Sequence, residues 1–153
     1  MFIQKVSQAL IDRGITFAVV GGYAVALHGA VRGTIDLDLV LQWNKKNLEK
    51  TIAALHSLGL VSRLPLDSDT VFEQRQQLIN ERNLIAWNFY NPDNLTEQID
   101  LIIDFDLADK AITNINLGNF SIPILNKKDL ISMKEKSGRP QDIADIDALR
   151  RLP

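Results

Sequence analysis

The sequence predicts one α/β (α+β) domain, spanning residues 1–153, with a short mixed sheet and helices packed against it. A chain of 153 residues suffices for one hydrophobic core and leaves a second domain without room for its own. Short apolar runs typical of strands are interspersed with segments of helical periodicity, which indicates a mixed architecture. A hydrophobic fraction of 46% and a charged fraction of 24% are ordinary for a globular protein.

The N-terminal part is predicted to run helix, strand, helix. Apolar residues at helical spacing predict a helix over Phe2–Arg13, which Gly14 ends. The β-branched run Ile15–Val20 predicts a buried strand. Gly21-Gly22 breaks this strand, and the Ala- and Leu-rich segment Tyr23–Gly29 predicts a short helix.

A second strand and two helices are predicted next. Partial alternation of apolar and polar residues predicts a strand over Thr34–Gln42. Asn44 has the side chain of an N-cap for a helix over Lys45–Leu58. Val61–Ser68 is predicted to be a loop, and a single polar helix is predicted over Asp69–Arg82.

The remainder is predicted to form three strands and two helices. An Asn-Pro-Asp-Asn turn joins the first two of these strands. Asn126 caps the first helix, Gly138 ends it, and Pro140 begins the last helix at its first position. The strands span Leu84–Tyr90, Gln98–Asp104 and Phe120–Leu125, and the capped helix spans Lys127–Ser137.

Charge and composition limit the classes of function. A net charge of −2 gives no general basic footprint for nucleic acid. The chain has no cysteine, which excludes a disulfide framework and a thiolate metal site. The N-terminus lacks the continuous apolar stretch of a secretory signal, and the apolar window Ile15–Val31 is interrupted and too short for a spanning helix. We therefore expect a cytoplasmic protein without a membrane partner.

The most informative stretch is AVVGGYAVALHGAVRGTIDLDLVL, which covers Ala18–Leu41. Because side chains alternate along a strand, Asp36 and Asp38 are predicted to share one face, with Cα atoms roughly 6.5 Å apart. Two carboxylates this close repel each other, and burial adds a desolvation cost. A hard divalent cation with oxygen ligands removes both costs, so the pair predicts a metal site.

A third carboxylate lies in the later strand. Asp100 is flanked by Ile99 and Leu101, so its predicted burial requires a partner, whereas Asp104 shares its face but lies near the strand exit. Three carboxylates on adjacent strands suit two Mg²⁺ (or Mn²⁺) ions, which can clamp the attacking and leaving oxygens of an in-line phosphoryl displacement. We therefore expect Asp100 to complete the metal site.

The glycines supply the other half of the predicted site. Gly21 and Gly22 let a backbone approach a ligand closely, and the helix after them offers free N–H groups to a phosphate. Alone, Gly-Gly is more often a plain strand-to-helix turn, and an exposed pair of edge-strand aspartates is at least as common as a metal site. Their occurrence in order within one short segment favours a nucleotide and metal site.

This order of motifs resembles the signature of the nucleotidyltransferase superfamily, in its minimal, DNA polymerase β-like form. In that signature a hydrophobic strand, Gly-Gly or Gly-Ser, a spacer and Asp-hydrophobic-Asp precede a third acidic residue on a later strand. Arg32 and Thr34 also resemble the branch in which Arg and Thr precede the two aspartates. The positions that match the core signature are Gly21, Gly22, Asp36, Asp38 and Asp100.

The C-terminal DLISMKEKSGRPQDIADIDAL is similar to the tail of the AbiEii-like branch. The resemblance implies that Lys134, Asp142 and Asp145 complete the site, with Lys134 reaching the triphosphate or the aspartates. The residues alone leave other readings open. Lys134 is equally explained as a snorkelling lysine, Asp142 as a first-turn acid within an apolar stripe formed by Ile143, Ile146 and Leu149, and Asp145 as part of a solvated face. Surface pairing is the simpler role for Arg139, although a phosphate contact is also open.

The resemblance implies an enzyme that moves an NMP from an NTP to an acceptor and uses Mg²⁺ or Mn²⁺. The acceptor is a small molecule, a tRNA or a partner protein, and a toxin–antitoxin or defence setting is implied by the branch. The sequence gives neither the base preference nor the oligomeric state. A non-catalytic nucleotide- or partner-binding module, such as an antitoxin or regulator, is the alternative, and a purely structural Ca²⁺ site is a third reading. The sequence lacks the phosphate-binding loop, dinucleotide and hydrolase motifs.

Overall fold

A computed structural model describes residues 1–30, 33 and 36–153. Within these residues the chain forms seven helices and one sheet of seven strands. The strands are β1 (Phe17–Val20), β2 (Leu37–Leu41), β3 (Val61–Ser62), β4 (Ala86–Asn91), β5 (Asn94–Ile102), β6 (Ile112–Asn116) and β7 (Ser121–Leu125). The helices are α1 (Phe2–Asp12), α2 (Gly21–Leu27), α3 (Lys45–Ser57), α4 (Ser68–Glu73), α5 (Arg75–Arg82), α6 (Lys127–Ser137) and α7 (Pro140–Arg151).

The sheet is mixed and has the order β3-β4-β5-β2-β1-β7-β6. β2 runs parallel to β5 and antiparallel to β1, and β1 runs parallel to β7. The outer strands β3, β4 and β6 join by antiparallel pairing. The mixed α/β architecture predicted from the sequence is therefore confirmed.

The central strands carry the core. Every residue of β1 is buried, and β2 is buried except at Asp38. Alternate side chains of β4 and β5 are buried on the same side of the sheet, including Trp87, Phe89, Ile99 and Leu101. Alternation places the polar Asp38, Asn88 and Asp100 on the other side of these strands. The apolar packing of one face thus fixes which polar side chains the other face presents.

The sequence did not predict two of the strands or the break in one helix. The predicted loop Val61–Ser68 contains the short β3, and β6 was not predicted at all. β6 is an edge strand that is almost entirely exposed, so it lacks the apolar alternation that marks a strand. The predicted helix Asp69–Arg82 divides at Gln74 into α4 and α5, where the sequence has no Gly or Pro to mark the break.

Helix boundaries follow local signals closely. The side chain of Asn44 accepts a hydrogen bond from the backbone N–H of Asn47 at 2.8 Å and begins α3. Asn126 does the same for Asp129 at 2.9 Å and begins α6, and Gly138 ends α6 in the left-handed conformation. Among the described residues, no helix combines the length and apolarity that crossing a bilayer requires.

The two capping asparagines differ in a way that stability measurements can detect. Asn126 also donates its amide to the backbone oxygen of Ala111 at 2.7 Å, whereas among the described residues the Asn44 side chain makes the cap bond alone. We expect Asn44→Ala to lower the free energy of unfolding by about 1 kcal/mol and Asn126→Ala by about 2 kcal/mol. Urea unfolding of both variants measures the difference, and equal losses would contradict this account of Asn126.

Candidate active site

The sheet register brings two of the predicted aspartates together. Asp38 of β2 pairs directly with Asp100 of β5, and Val20, the last residue of β1, pairs with Asp38 on its other side. Paired residues of neighbouring strands project to the same face, with backbones about 5 Å apart. The carboxylates of Asp38 and Asp100 therefore lie side by side at the end of β1, where the chain turns into α2.

Asp36 lies outside the strand. β2 begins at Leu37, and Asp36 occupies an exposed bend, so the strand alternation used to align it with Asp38 does not extend to it. Across residues 1–30, 33 and 36–153, no three or more carboxylate or imidazole side chains are grouped so as to hold one metal ion. Asp36 thus stays a predicted metal ligand, and the predictions for Arg32 and Thr34 lie outside the described residues.

Gly21 makes room for the Asp38 carboxylate. Gly21 has a φ of +67°, and a Cβ atom built on it would lie 1.9 Å from Oδ2 of Asp38. Any side chain at this position would therefore both strain the backbone and collide with the carboxylate. The sequence pattern predicted a glycine for ligand approach, and the structure adds that Asp38 itself requires it. Gly22 is buried at the second position of α2.

The environment of Asp38 opposes its charge. Burial, followed by the nearby carboxylates of Asp100 and Asp36, raises the pKa of Asp38 to about 7, while Lys134 and Arg139 act in the opposite direction. A carboxylate that is desolvated and flanked by like charges gains stability from any cation that binds beside it. A cation bound beside Asp38 would therefore lower the cost of ionising it.

Helices α6 and α7 contribute a buried ionic cluster next to this site. The ammonium of Lys134 lies 2.8 Å from Asp145 and 3.5 Å from Asp142, and all three side chains are buried. Arg139 donates from Nε to Asp142 at 2.8 Å, and Gln141 donates to Asp145 at 3.0 Å. The two cations and two anions among these residues sum to zero charge, so the cluster brings no net charge toward the aspartates, while Lys134 and Arg139 individually lower the pKa of Asp38.

The structure shows that three interpretations of the C-terminal segment are wrong. The snorkelling reading of Lys134 is wrong, because its ammonium is buried between two carboxylates. Asp145 does not lie on a solvated face, since it is only 2% exposed. Ile143 is 62% exposed and does not belong to the inner stripe of α7. The inner stripe consists of Asp142, Asp145, Ile146 and Leu149.

A cavity of about 320 Å³ opens beside Asp38. Val20 and Gly21 border it on the sheet side, and Lys134, Arg139 and Asp142 border it on the side of α6 and α7. Its walls are otherwise largely apolar. They include Ile85, Ile102, Phe105, Leu130 and Met133. Asp104, considered earlier as a third acid, also lines this cavity, and Lys136 lies 3.8 Å from it.

The sequence prediction missed one polar neighbour of the aspartates. Asn88 of β4 pairs with Asp100 and donates its amide to Oδ1 of Asp100 at 2.9 Å. A signal was available, because Asn88 lies between the buried Trp87 and Phe89 and must therefore project to the opposite face. Asn88 is thus part of the polar surface that carries Asp38 and Asp100.

The architecture is similar to that of several solved structures. The antibiotic-resistance factor ANT(2'')-Ia matches with a TM-score of 0.65 at 12% identity, over 97% of this chain and 80% of that one. The lincosamide antibiotic adenylyltransferase LnuA, with lincomycin bound, matches with a TM-score of 0.62 at 15% identity, over 94% and 90%. An antigenic nucleotidyltransferase-like protein from Paracoccidioides brasiliensis matches with a TM-score of 0.59 at 18% identity, over 96% and 72%.

The chain has a nucleotidyltransferase-like fold. No family model and no curated protein matches the sequence. At these low identities the likeness concerns the fold alone, so the chemistry has to be argued from the residues. The resemblance noted in the sequence and the fold nevertheless agree, although they rest on different observations.

The close approach of Gly21 to Asp38 can be isolated with a matched glycine. Gly14 has the same φ of +67° and nothing within 4 Å of an added Cβ. We expect Gly14→Ala to lower the free energy of unfolding by about 1 kcal/mol through backbone strain, and Gly21→Ala by 1–3 kcal/mol more because Asp38 must move. Urea unfolding measures both effects.

A double variant provides the control for this comparison. Asp38→Ala removes the carboxylate that the new methyl group would meet, so most of the excess cost of Gly21→Ala should disappear in the Gly21→Ala/Asp38→Ala protein. An excess cost that persists in the double variant would show that another contact, and not Asp38, requires glycine here.

The raised pKa of Asp38 predicts a specific dependence of stability on pH. Because the folded protein holds this proton more tightly than the unfolded chain, stability present near pH 4 is lost as the pH rises toward and through 7. Asp38→Asn removes this loss. In EDTA, we expect it to gain roughly 1–3 kcal/mol relative to wild type between pH 5 and pH 8.

Urea unfolding at the two pH values checks this prediction, with Asp93→Asn at the exposed β4–β5 turn as the control. The control should track wild type at both pH values. A constant difference between Asp38→Asn and wild type would mean that Asp38 is not protonated in this range.

Proposed function

We propose that this protein is a metal-dependent nucleotidyltransferase that moves an NMP from an NTP to an acceptor. The observation that carries the proposal is the pairing of Asp38 with Asp100, together with the close approach of Asp38 to Gly21 where both line a cavity. Two like charges placed side by side in a half-buried position destabilise the fold, and a bound cation would remove this cost. Such pairs therefore occur often at functional sites. The nucleotidyltransferase-like fold supports the same assignment.

Asp38 and Asp100 are the residues that would hold divalent metal, with Asp36 as the third ligand. Oxygen ligands and uncompensated negative charge are what Mg²⁺ and Mn²⁺ require, and the pKa of Asp38 near 7 identifies the charge that an ion would stabilise. Bound metal would supply positive charge to the triphosphate and lower the pKa of the acceptor hydroxyl. Asp36 lies two residues before Asp38 and is close enough to contribute to the raised pKa of Asp38.

The residues of the chain itself position the substrates. Gly21 and Gly22 would let the triphosphate approach the backbone at the start of α2, because neither carries a side chain. Arg139, exposed at the edge of the cavity, and Lys134 behind it would face the phosphates, and Arg32 and Thr34 would contribute from the segment before Asp36. The acceptor oxygen would attack the α-phosphorus, its proton would pass to Asp100, and the bond to the β-phosphate oxygen would break to release pyrophosphate.

The cavity favours a small-molecule acceptor over the tRNA or protein acceptors considered above. Its volume lies in the lower part of the range for small-molecule sites, and its walls combine apolar side chains with several charged ones, including Asp38, Lys134 and Arg139. LnuA was solved with lincomycin and ANT(2'')-Ia with adenylyl-2''-tobramycin, both small molecules. The net charge of −2 gives no support to a long nucleic-acid contact. A toxin–antitoxin or defence setting rests on the C-terminal resemblance alone.

One observation favours the non-catalytic alternative. In the described part of the chain, no three metal-ligating side chains are grouped around one point. A nucleotide- or partner-binding module with the same scaffold would keep the glycine turn and the cavity but would not transfer NMP. The assay below separates the two.

Transfer of label from α-³²P NTPs tests the proposal. Wild type is incubated with each of ATP, GTP, CTP and UTP, with Mg²⁺ or Mn²⁺, and with small-molecule, tRNA and cell-extract acceptors. We expect labelled product from wild type and at least a 100-fold lower rate from Asp38→Asn and Asp100→Asn, because each variant removes charge from the metal site. Asp93→Asn is the control and should retain the wild-type rate.

Thermal melting with NTP, with and without EDTA, distinguishes the alternatives. Metal-dependent stabilisation by NTP without any labelled product would indicate the binding module. Stabilisation by metal that NTP does not increase would indicate a structural ion. A wild-type rate from either aspartate variant would contradict the proposed function.

A further inference from the structure

Asp100 is held by a chain of hydrogen bonds that leads away from the site. Asn88 donates from Nδ2 to Oδ1 of Asp100 at 2.9 Å, across the β4–β5 pairing. Arg63, just after β3, donates from Nε to Oδ1 of the same Asn88 at 2.7 Å. Strand β5, strand β4 and the residue that follows β3 thus provide one link each. Their side chains lie on the face that carries Asp38.

Arg63 is itself fixed in place. Its guanidinium lies 4.2 Å from the ring centre of Tyr90, and its backbone N–H donates to the backbone oxygen of Asn88 at 3.0 Å. A guanidinium is always charged and is a donor without acceptor capacity, so only the oxygen of the Asn88 amide can face it. The amide nitrogen of Asn88 must then point toward β5. Arg63 therefore selects the orientation in which Asn88 donates to Asp100.

The hydrogen bond from Asn88 restricts the orientation of the Asp100 carboxylate. A carboxylate that accepts a hydrogen bond at Oδ1 cannot rotate freely about its Cβ–Cγ bond, so the Asn88 amide restricts how the Asp100 carboxylate lies beside Asp38. Gln98 lies on β5, as Asp100 does, and its side-chain oxygen is a second acceptor 3.5 Å from the amide nitrogen of Asn88. In metal sites, groups that orient a ligand typically change metal affinity by 10–100-fold when removed.

We propose that Asn88 is a positioning residue for Asp100 and that Arg63 fixes the orientation of Asn88. This inference rests on the proposed function, since it assigns Asp100 a ligand role. It assigns no contact with substrate to Asn88 or Arg63. Both residues act through the geometry of Asp100.

The chain contains a matched control for Asn88. Asn91 lies on the same strand and donates its amide to the carboxylate of Glu97 on β5 at 2.9 Å, so it makes the same kind of bond as Asn88. It also accepts from the backbone N–H of Asp93 at 2.9 Å. Asn91→Ala should therefore lower the urea midpoint by an amount similar to Asn88→Ala, while the ligand Asp100 is untouched.

Mn²⁺ binding without nucleotide is the test, with free Mn²⁺ measured by electron paramagnetic resonance. We expect Asp100→Asn to weaken Mn²⁺ binding by 10-fold or more, Asn88→Ala by about 10-fold and Arg63→Ala by about 3-fold. Arg63→Ala should add nothing in the Asn88→Ala background, because Arg63 acts only through Asn88. Asn91→Ala should bind Mn²⁺ as wild type does.

The outcomes separate this inference from the proposed function. If Asp100→Asn weakens Mn²⁺ binding while Asn88→Ala and Asn91→Ala both bind as wild type does, the positioning role is overturned and the metal site stands. Additive effects of Arg63→Ala and Asn88→Ala would overturn the link through Asn88. If wild type does not bind Mn²⁺, or if Asp100→Asn binds it normally, the ligand role of Asp100 in the proposed function fails and the inference fails with it.

Discussion

The structure depends on one constraint, which is that two carboxylates lie side by side at the centre of a sheet. Asp38 and Asp100 are paired in register on β2 and β5, and Gly21 is the residue that leaves space for the first of them. Burial and like charge raise the pKa of Asp38 to about 7, so the arrangement opposes folding at neutral pH. Unfavourable charge in a well-packed strand is typical of a site that stores strain for function.

An ionic cluster and a cavity lie next to this pair of aspartates. Helices α6 and α7 pack beside the site and carry a cluster in which Lys134 and Arg139 together neutralise Asp142 and Asp145, so this cluster adds no net charge. Replacing such buried ion pairs by apolar side chains is often neutral or stabilising, so the cluster is weak evidence for stability and stronger evidence for specific geometry. The cavity is bordered by Asp38 on one side and by Lys134, Arg139 and Asp142 of this cluster on the other.

Much of the fold and part of the site could be predicted from the sequence, because both rest on local signals. Asn126 and Gly138 mark the ends of α6, and β-branched runs mark the central strands. Edge strand β6 escaped prediction because it buries almost nothing, and the position of Asp36 escaped because β2 begins at Leu37, which pairs with Ile99 of the distant strand β5. The burial of Asp145 depends on how the helices pack, and the contact between Asn88 and Asp100 depends on how β4 and β5 pair. Residue spacing alone gives neither of them.

A crystal structure with Mn²⁺ and a non-hydrolysable NTP analogue tests the central claim most directly. Anomalous scattering would locate the ions without ambiguity. The account predicts Mn²⁺ within about 2.3 Å of carboxylate oxygens of both Asp38 and Asp100, with the triphosphate beside Gly21. Ions bound elsewhere, or an analogue seated away from these two aspartates, would contradict it.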